Sequence, residues 1–164
     1  MAPRLRLAAV GVFAVSLAIF SLARMRLVSF GAEGPGQARF LTGDEPSYLL
    51  LAHSVAFDRD FNLFNNRTEE HGRFFGVPRC EGHGARKDWE RREIYSIHTP
   101  GLPILIAPVY ALAVRLGVSP RAAVLLFMNL LAALLAVNTW LLCVDLVGGR
   151  ASLDRPGCVP LVPP

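Results

Sequence analysis

Gly43-Asp-Glu-Pro-Ser-Tyr-Leu-Leu-Leu-Ala-His53 sets two adjacent carboxylates in front of an apolar run, and the rest of the chain is organised around it. Asp44 is a residue type that caps helices. Pro46 suits a first turn, where a missing N–H costs nothing and the fixed φ is already helical. The sequence therefore predicts a helix that starts at Asp44. The positive end of a helix dipole favours ionised carboxylates, so Asp44 and Glu45 have two readings. One is a helix cap, and the other is an anion able to take a proton from a hydroxyl. Tyr48, Leu51, Ala52 and Val55 recur at helical spacing, with Ser47, His53 and Ser54 on a more polar side. That pattern fits either an amphipathic helix on a membrane surface or a helix packed on protein.

Outward from this motif the composition separates into apolar runs and a charged middle. Of 164 residues, 52% are hydrophobic and 18% charged, with a mean hydropathy of +0.38. That is a membrane composition. Residues 24–100 hold eleven cations and eleven anions, so the net charge of +4 comes from the flanks of the apolar runs. No basic patch for nucleic acid is implied. Cys80, Cys143 and Cys158 fall in a loop, an apolar run and the tail, which is no framework for a disulfide scaffold.

On the N-terminal side, Arg4 and Arg6 precede residues 7–23, an uncharged run at the short end of what spans a hydrocarbon core of roughly 30 Å. Its end, Ser21-Leu22-Ala23, also has the form of a signal-peptide cleavage site, although the apolar runs downstream favour an uncleaved first span. A Gly/Pro-rich linker at 31–36 leads to the acidic motif. On the C-terminal side, residues 102–116 carry one charge, Arg115, near the far end, and residues 117–121 read as a tight hairpin. Residues 122–144 form a third run with Asn129 and Asn138 as interhelical hydrogen-bond partners. The expected fold is an all-α integral membrane protein with three transmembrane helices, near 7–23, 102–116 and 122–144. Short amphipathic helices fill the loop between the first two.

In terms of domains, 1–23 is an N-terminal span, 24–101 a loop with the acidic motif, 102–147 a transmembrane helical hairpin and 148–164 an irregular, proline-rich tail. Arg24 and Arg26 balance Arg4 and Arg6, so orientation rests on Arg115 and Arg121. These favour a cytoplasmic hairpin and an external loop. Three spans offer few partners for the polar residues of the second and third runs, and the tail follows directly. A truncated or frameshifted fragment is therefore expected.

Within the loop, residues 57–66 read as a turn and a short irregular piece, with Asp58 and Asp60 as turn residues. Asn66-Arg67-Thr68 has the form of a glycosylation acceptor, a three-residue pattern to which nothing is assigned. His71, Cys80 and His83, with Glu69 or His98 as a fourth ligand, lack a convincing zinc spacing, and no metal site is assigned. Residues 86–93 mix both signs of charge and predict a short surface helix with guanidinium groups near anionic headgroups. The loop closes at Tyr95-Ser-Ile-His98-Thr-Pro-Gly-Leu-Pro103, a His before a proline-marked entry into the next apolar run.

Taken in order, a span, Gly-Asp-Glu-Pro-x-Tyr at 43–48, Asp-x-Asp-Phe-Asn-Leu at 58–63, Tyr-Ser-x-His-x-Pro-Gly-Leu-Pro at 95–103 and further spans resemble a known family. It is the amino-terminal part of polytopic glycosyltransferases with the C-type fold, in the branch of protein O-mannosyltransferases and lipid A aminoarabinose transferases. The resemblance covers roughly residues 5–147. It implies a catalytic site at Asp44 with Glu45 beside it, and a polyprenyl-phosphate-linked sugar as donor. It implies neither a nucleotide sugar nor an obligatory metal or other cofactor. It also implies a bacterial inner membrane with residues 24–101 extracytoplasmic, and further spans without which these 164 residues are inactive. A carboxylate there would take the acceptor's proton while the sugar leaves its phosphate. His98, Arg91 and Arg92 are candidates to hold that phosphate, and His98 equally reads as a structural residue at the entry of the second run. Two other classes stay open: an integral membrane protein without catalysis whose loop binds a partner, and a secreted or signal-anchored binding domain.

Overall fold

The computed structural model of the chain describes residues 3–25, 43–77 and 86–153. In chain order it contains α1 (Pro3–Met25), α2 (Glu45–His53), a π-helical turn (Ser54–Asp58), α3 (Phe64–Thr68) and a 3-10 turn (His71–Phe75). Strands β1 (Arg86–Asp88) and β2 (Glu93–Tyr95) follow, then α4 (Gly101–Arg115) and α5 (Pro120–Leu153). The chain divides into two compact units, one of residues 1–22 and 129–164, the other of residues 23–128. The linker at 31–36, Cys80, His83 and the last eleven residues, 154–164, lie outside the described residues.

Among the described residues, two helices are long and apolar enough to cross a membrane: Leu5–Leu22 within α1 and Pro120–Val147 within α5. None of the α1 window is buried by protein. In the first unit Leu7, Val10, Val15, Ile19 and Leu22 of α1 stand exposed, as do Leu134, Leu135, Leu142 and Leu146 of α5. Asn138 and Thr139 turn back on their own helix and donate to the carbonyls of Leu134 and Leu135, each at 2.9 Å. Both donors are thereby met within α5, and among the described residues Asn138 has no interhelical hydrogen bond of the kind that the sequence predicts. Helix α5 runs on through 148–153, where the sequence predicts an irregular tail. A helix already under way adds one hydrogen bond per residue, which offsets a cost of about 1 kcal/mol at each of Gly148 and Gly149.

The second unit holds a core in which α2 is the central piece. Leu49, Leu50, Leu51 and Ala52 are consecutive and all buried, so α2 is covered on every side. Of the two readings of this helix, packing on protein is the one observed. Leu63, Phe75, Ile94, Ile106, Tyr110 and Val124 surround it. Each fully buried Leu or Ile contributes roughly 1.5–3 kcal/mol, which is what fixes α2 against α4.

Residues 86–93 form a hairpin instead of the expected surface helix, so the fold is mostly helical with one two-stranded antiparallel sheet. Arg86 pairs with Tyr95, Lys87 with Ile94 and Asp88 with Glu93. Asp88 and Arg91, within the stretch of mixed charge, are used in the turn. Asp88 Oδ1 accepts the Arg91 N–H at 3.0 Å, and Arg92 adopts a left-handed φ of 55°. A partner distant in sequence completes the reason. Asn62 Oδ1 accepts the Ile94 N–H at 3.0 Å, Asn62 Nδ2 donates to the Arg92 carbonyl at 3.0 Å, and the Leu63 N–H donates to the Ile94 carbonyl at 2.7 Å.

Helix α4 is 15 residues long, about 22 Å at 1.5 Å per residue, and falls short of a hydrocarbon core of roughly 30 Å. One side of it, Ile106, Ala107, Tyr110 and Ala113, is buried in the core of the second unit, while Ile104, Leu105 and Leu112 are exposed.

Candidate active site

At the start of α2, Gly43 has a left-handed φ of +60°, a conformation in which glycine avoids the strain of a side chain. Asp44 occupies the cap position with φ −90° and ψ −5°, and its side chain makes no capping hydrogen bond. The expected cap is therefore absent. A capping side chain reaches the first free N–H groups from an extended backbone, and here the Asp44 backbone is already helical, its carbonyl accepting the Tyr48 N–H at 3.1 Å.

The two carboxylates have different neighbours. Glu45 is gripped by Arg121, with Nε donating to Oε1 at 2.8 Å and Nη2 to Oε2 at 3.3 Å. Arg121 is only 4% exposed, so this is a buried, two-pronged ion pair. Asp44 is more than half exposed, and its Oδ1 lies 3.5 Å from His98 Nε2. That spacing is beyond the ~2.7–3.2 Å of a closed hydrogen bond. Accordingly His98 Nε2 is buried without a hydrogen-bond partner among the described residues. The Tyr48 ring lies against the imidazole, with centroids 5.0 Å apart, and the His98 N–H donates to Ser96 Oγ at 3.1 Å.

Two open clefts adjoin this group. One, of about 350 Å³, has the Glu45–Arg121 pair in its wall, with Leu49, Leu102, Ile106, Val124 and Met128 around it. The other, of about 180 Å³, is bordered by Phe61, Tyr95, Ser96 and His98. Chemically, Glu45 has both oxygens engaged by a guanidinium and is poorly placed to receive a proton. Asp44 has exposed oxygen surface that a proton donor can reach.

Arg121 also bears on the expected second span. His98 precedes α4 and meets Asp44, whereas Arg121 follows α4 and meets Glu45. The residues that flank α4 thus meet adjacent carboxylates at the start of α2, and α4 is not among the helices long enough to cross a membrane. The same pair removes Arg121 from the positive-inside argument, since it is held by a residue of the loop that the argument set on the opposite side.

The far end of α2 holds a second polar cluster, buried at its centre. His53 is buried and its Nδ1 hydrogen-bonds the Tyr110 hydroxyl at 3.2 Å. Its ring packs against those of Phe57, His71 and Phe74. Burial first, then the His71 and Arg73 charges, lower its pKa from 6.5 to about 4, with Asp58 opposing. Asn66, also buried, donates through Nδ2 to Asp58 Oδ2 at 2.6 Å and lies 3.2 Å from His71 Nδ1. Asp60 is a turn residue, accepting from Ser54 Oγ at 2.7 Å and from the Asn62 N–H at 3.1 Å.

Of the residues that the sequence singles out, Asp44, Glu45 and His98 come together. Arg91 and Arg92 lie in the turn of the hairpin, where Arg91 Nε is 3.7 Å from Asp88 Oδ2. No group of three potential metal ligands occurs among the described residues. Tyr48 and Arg121 are the members that sequence reasoning missed. Arg121 did leave a signal: a cation in the first turn of a helix opposes the dipole and calls for an anionic partner. Compared with protein-family models, curated proteins and solved structures, the chain matches none.

Proposed function

We propose that the chain is an integral membrane protein carrying the acidic-loop end of a C-type-fold glycosyltransferase, which moves a sugar from a polyprenyl-phosphate donor to an acceptor hydroxyl. Asp44 is the base and the Glu45–Arg121 pair is the scaffold that fixes it. The observation that carries this reading is the unequal treatment of two neighbouring carboxylates, one saturated by a buried guanidinium and one left open. In the transfer, the acceptor hydroxyl gives its proton to Asp44 and its oxygen bonds the anomeric carbon. The bond from that carbon to the phosphate oxygen breaks, and its electron pair leaves with the polyprenyl phosphate.

In this reading α1 and α5 cross the bilayer, near 7–23 and 122–144, and lipid covers the exposed Leu and Val side chains that protein leaves bare. Helix α4, expected as the second span, enters partway and stays packed on α2. The extracytoplasmic placement of residues 24–101 rests on the family resemblance, because Arg121 no longer counts as a cytoplasmic anchor.

Donor capture tests the chemistry. The chain in phosphatidylcholine nanodiscs is labelled with a photoreactive polyprenyl phosphate. Competition by polyprenyl phosphate but not by uncharged polyprenol is the expected result, and equal competition by both removes the donor assignment. Sidedness is read separately from Glu90→Cys, at the exposed hairpin turn, with Cys80, Cys143 and Cys158 replaced. Labelling by an impermeant thiol reagent in intact cells is expected, and labelling only after lysis reverses the orientation.

A further inference from the structure

We infer that His98 is a positioning residue for Asp44: its Nε2 carries the hydrogen and orients the carboxylate, and the bond closes when a ligand covers the pair. The inference deepens the transferase reading and rests on it for the role of Asp44, though the pairing itself is a matter of geometry.

The imidazole is held from three directions. Its side chain is 13% exposed, the Tyr48 ring lies against it, and the backbone N–H of the same residue is tied to Ser96 Oγ. Nε2 has no water-accessible surface and no closed hydrogen bond among the described residues, and the nearby acceptor is Asp44 Oδ1 at 3.5 Å. A buried ring nitrogen left unpaired is destabilising, so a tautomer that can use Asp44 is preferred over one that cannot. If Nε2 were bare, its lone pair would face a carboxylate oxygen and the pair would repel. With the hydrogen on Nε2, the same geometry is attractive and needs a movement of only about 0.5 Å to become an ordinary hydrogen bond. Catalytic hydrogen bonds are commonly long before a ligand excludes water and tighten afterwards.

The division of labour around the acidic pair then becomes clear. Glu45 is fixed by Arg121 from the α5 side, and Asp44 is turned by His98 from the residues that lead into α4. One oxygen of Asp44 faces the imidazole, while the exposure of the side chain leaves the other for a substrate proton. A carboxylate so oriented needs no reorganisation of its own when the acceptor arrives.

The experiment is 15N NMR of the full chain labelled at histidine, in phosphatidylcholine nanodiscs, at a pH where imidazoles are neutral. The His98 signal is identified by its loss in His98→Gln. The expected result is a His98 held in the Nε2–H tautomer, becoming a mixture of tautomers in Asp44→Ala, while His53 and His71 are unchanged and attest to the fold. A His98 with bare Nε2, or a tautomer indifferent to Asp44→Ala, overturns the proposal. Should Asp44→Ala not fold, Tyr48→Phe serves as the folded control and the wild-type tautomer alone decides. Donor capture fails separately: a chain whose His98 responds to Asp44 but which does not distinguish polyprenyl phosphate from polyprenol loses the transferase reading and keeps the pair.

Discussion

The two ends of α2 carry the same kinds of residue and treat them in opposite ways. At the C-terminal end, His53 is enclosed by rings, bonded to Tyr110 and held neutral. At the N-terminal end, Asp44 is exposed and His98 faces it across a gap that no hydrogen bond closes. At the first, His53 bonds to Tyr110 and Asn66 to Asp58, and their burial adds to the core, with Asn66 Oδ1 the one oxygen of these four residues buried without a hydrogen-bond partner among the described residues. At the second, an open carboxylate and an unmet nitrogen are kept beside two clefts, at some cost to stability. A site that leaves hydrogen-bonding capacity unused in the free protein is one with room for a ligand to use it.

The contrast is sharpest as a pH experiment. Above pH 6.5 His53 is neutral whether the chain is folded or not. Below it, the unfolded chain takes up a proton that the folded chain refuses until about pH 4. Stability should therefore fall between pH 6.5 and 4, by on the order of 3 kcal/mol at about 1.4 kcal/mol per tenfold change in proton affinity, and level off below. Thermal melts in nanodiscs read this, and His53→Phe should flatten the profile. An unchanged slope in that variant would remove His53 as the cause.

Next in size is Glu45→Gln, which leaves the buried Arg121 without its carboxylate. A loss of about 2–3 kcal/mol is expected, at the low end for a broken buried pair because the Glu45 side chain is itself partly exposed. A melting temperature unmoved by this change would reduce the pair to surface decoration.

The smallest effect on stability belongs to the residue with the largest expected effect on chemistry. Since Asp44 makes no capping bond, Asp44→Asn should change stability by no more than a few tenths of a kcal/mol. Polyprenyl-phosphate-dependent transfer in native membranes should nevertheless drop roughly 10²-fold. Transfer preserved within a few-fold in folded Asp44→Asn would make the two ends of α2 equivalent and leave Asp44 without a catalytic role.

How far all this is legible in the sequence depends on how local the cause is. The start of α2 is signalled by Gly43, Asp44 and Pro46 within four residues, and the apolar windows of α1 and α5 announce themselves by length. The hairpin at 86–95 is not legible, because its strands are three residues each and Asn62, far upstream, supplies the bonds that hold them. The Glu45–Arg121 pair joins positions 76 apart, and nothing near Glu45 names its partner. The packing of α4 is hidden for a different reason: an apolar run of 102–116 serves a protein core as well as a bilayer, and the burial of Ile106 and Tyr110 beside α2 is not written in the run itself.

Asn66 has a consequence for how the chain is handled in a secretory host. Asn66-Arg67-Thr68 has the form of an acceptor for N-linked glycan, yet the Asn66 side chain is wholly buried and its amide is given to Asp58. An oligosaccharide added before folding would hold that residue at the surface and bar it from Asp58 and His71. Glycan and native packing are then alternative fates of one polypeptide, and a mass-shifted band on a gel would count the chains that had failed quality control.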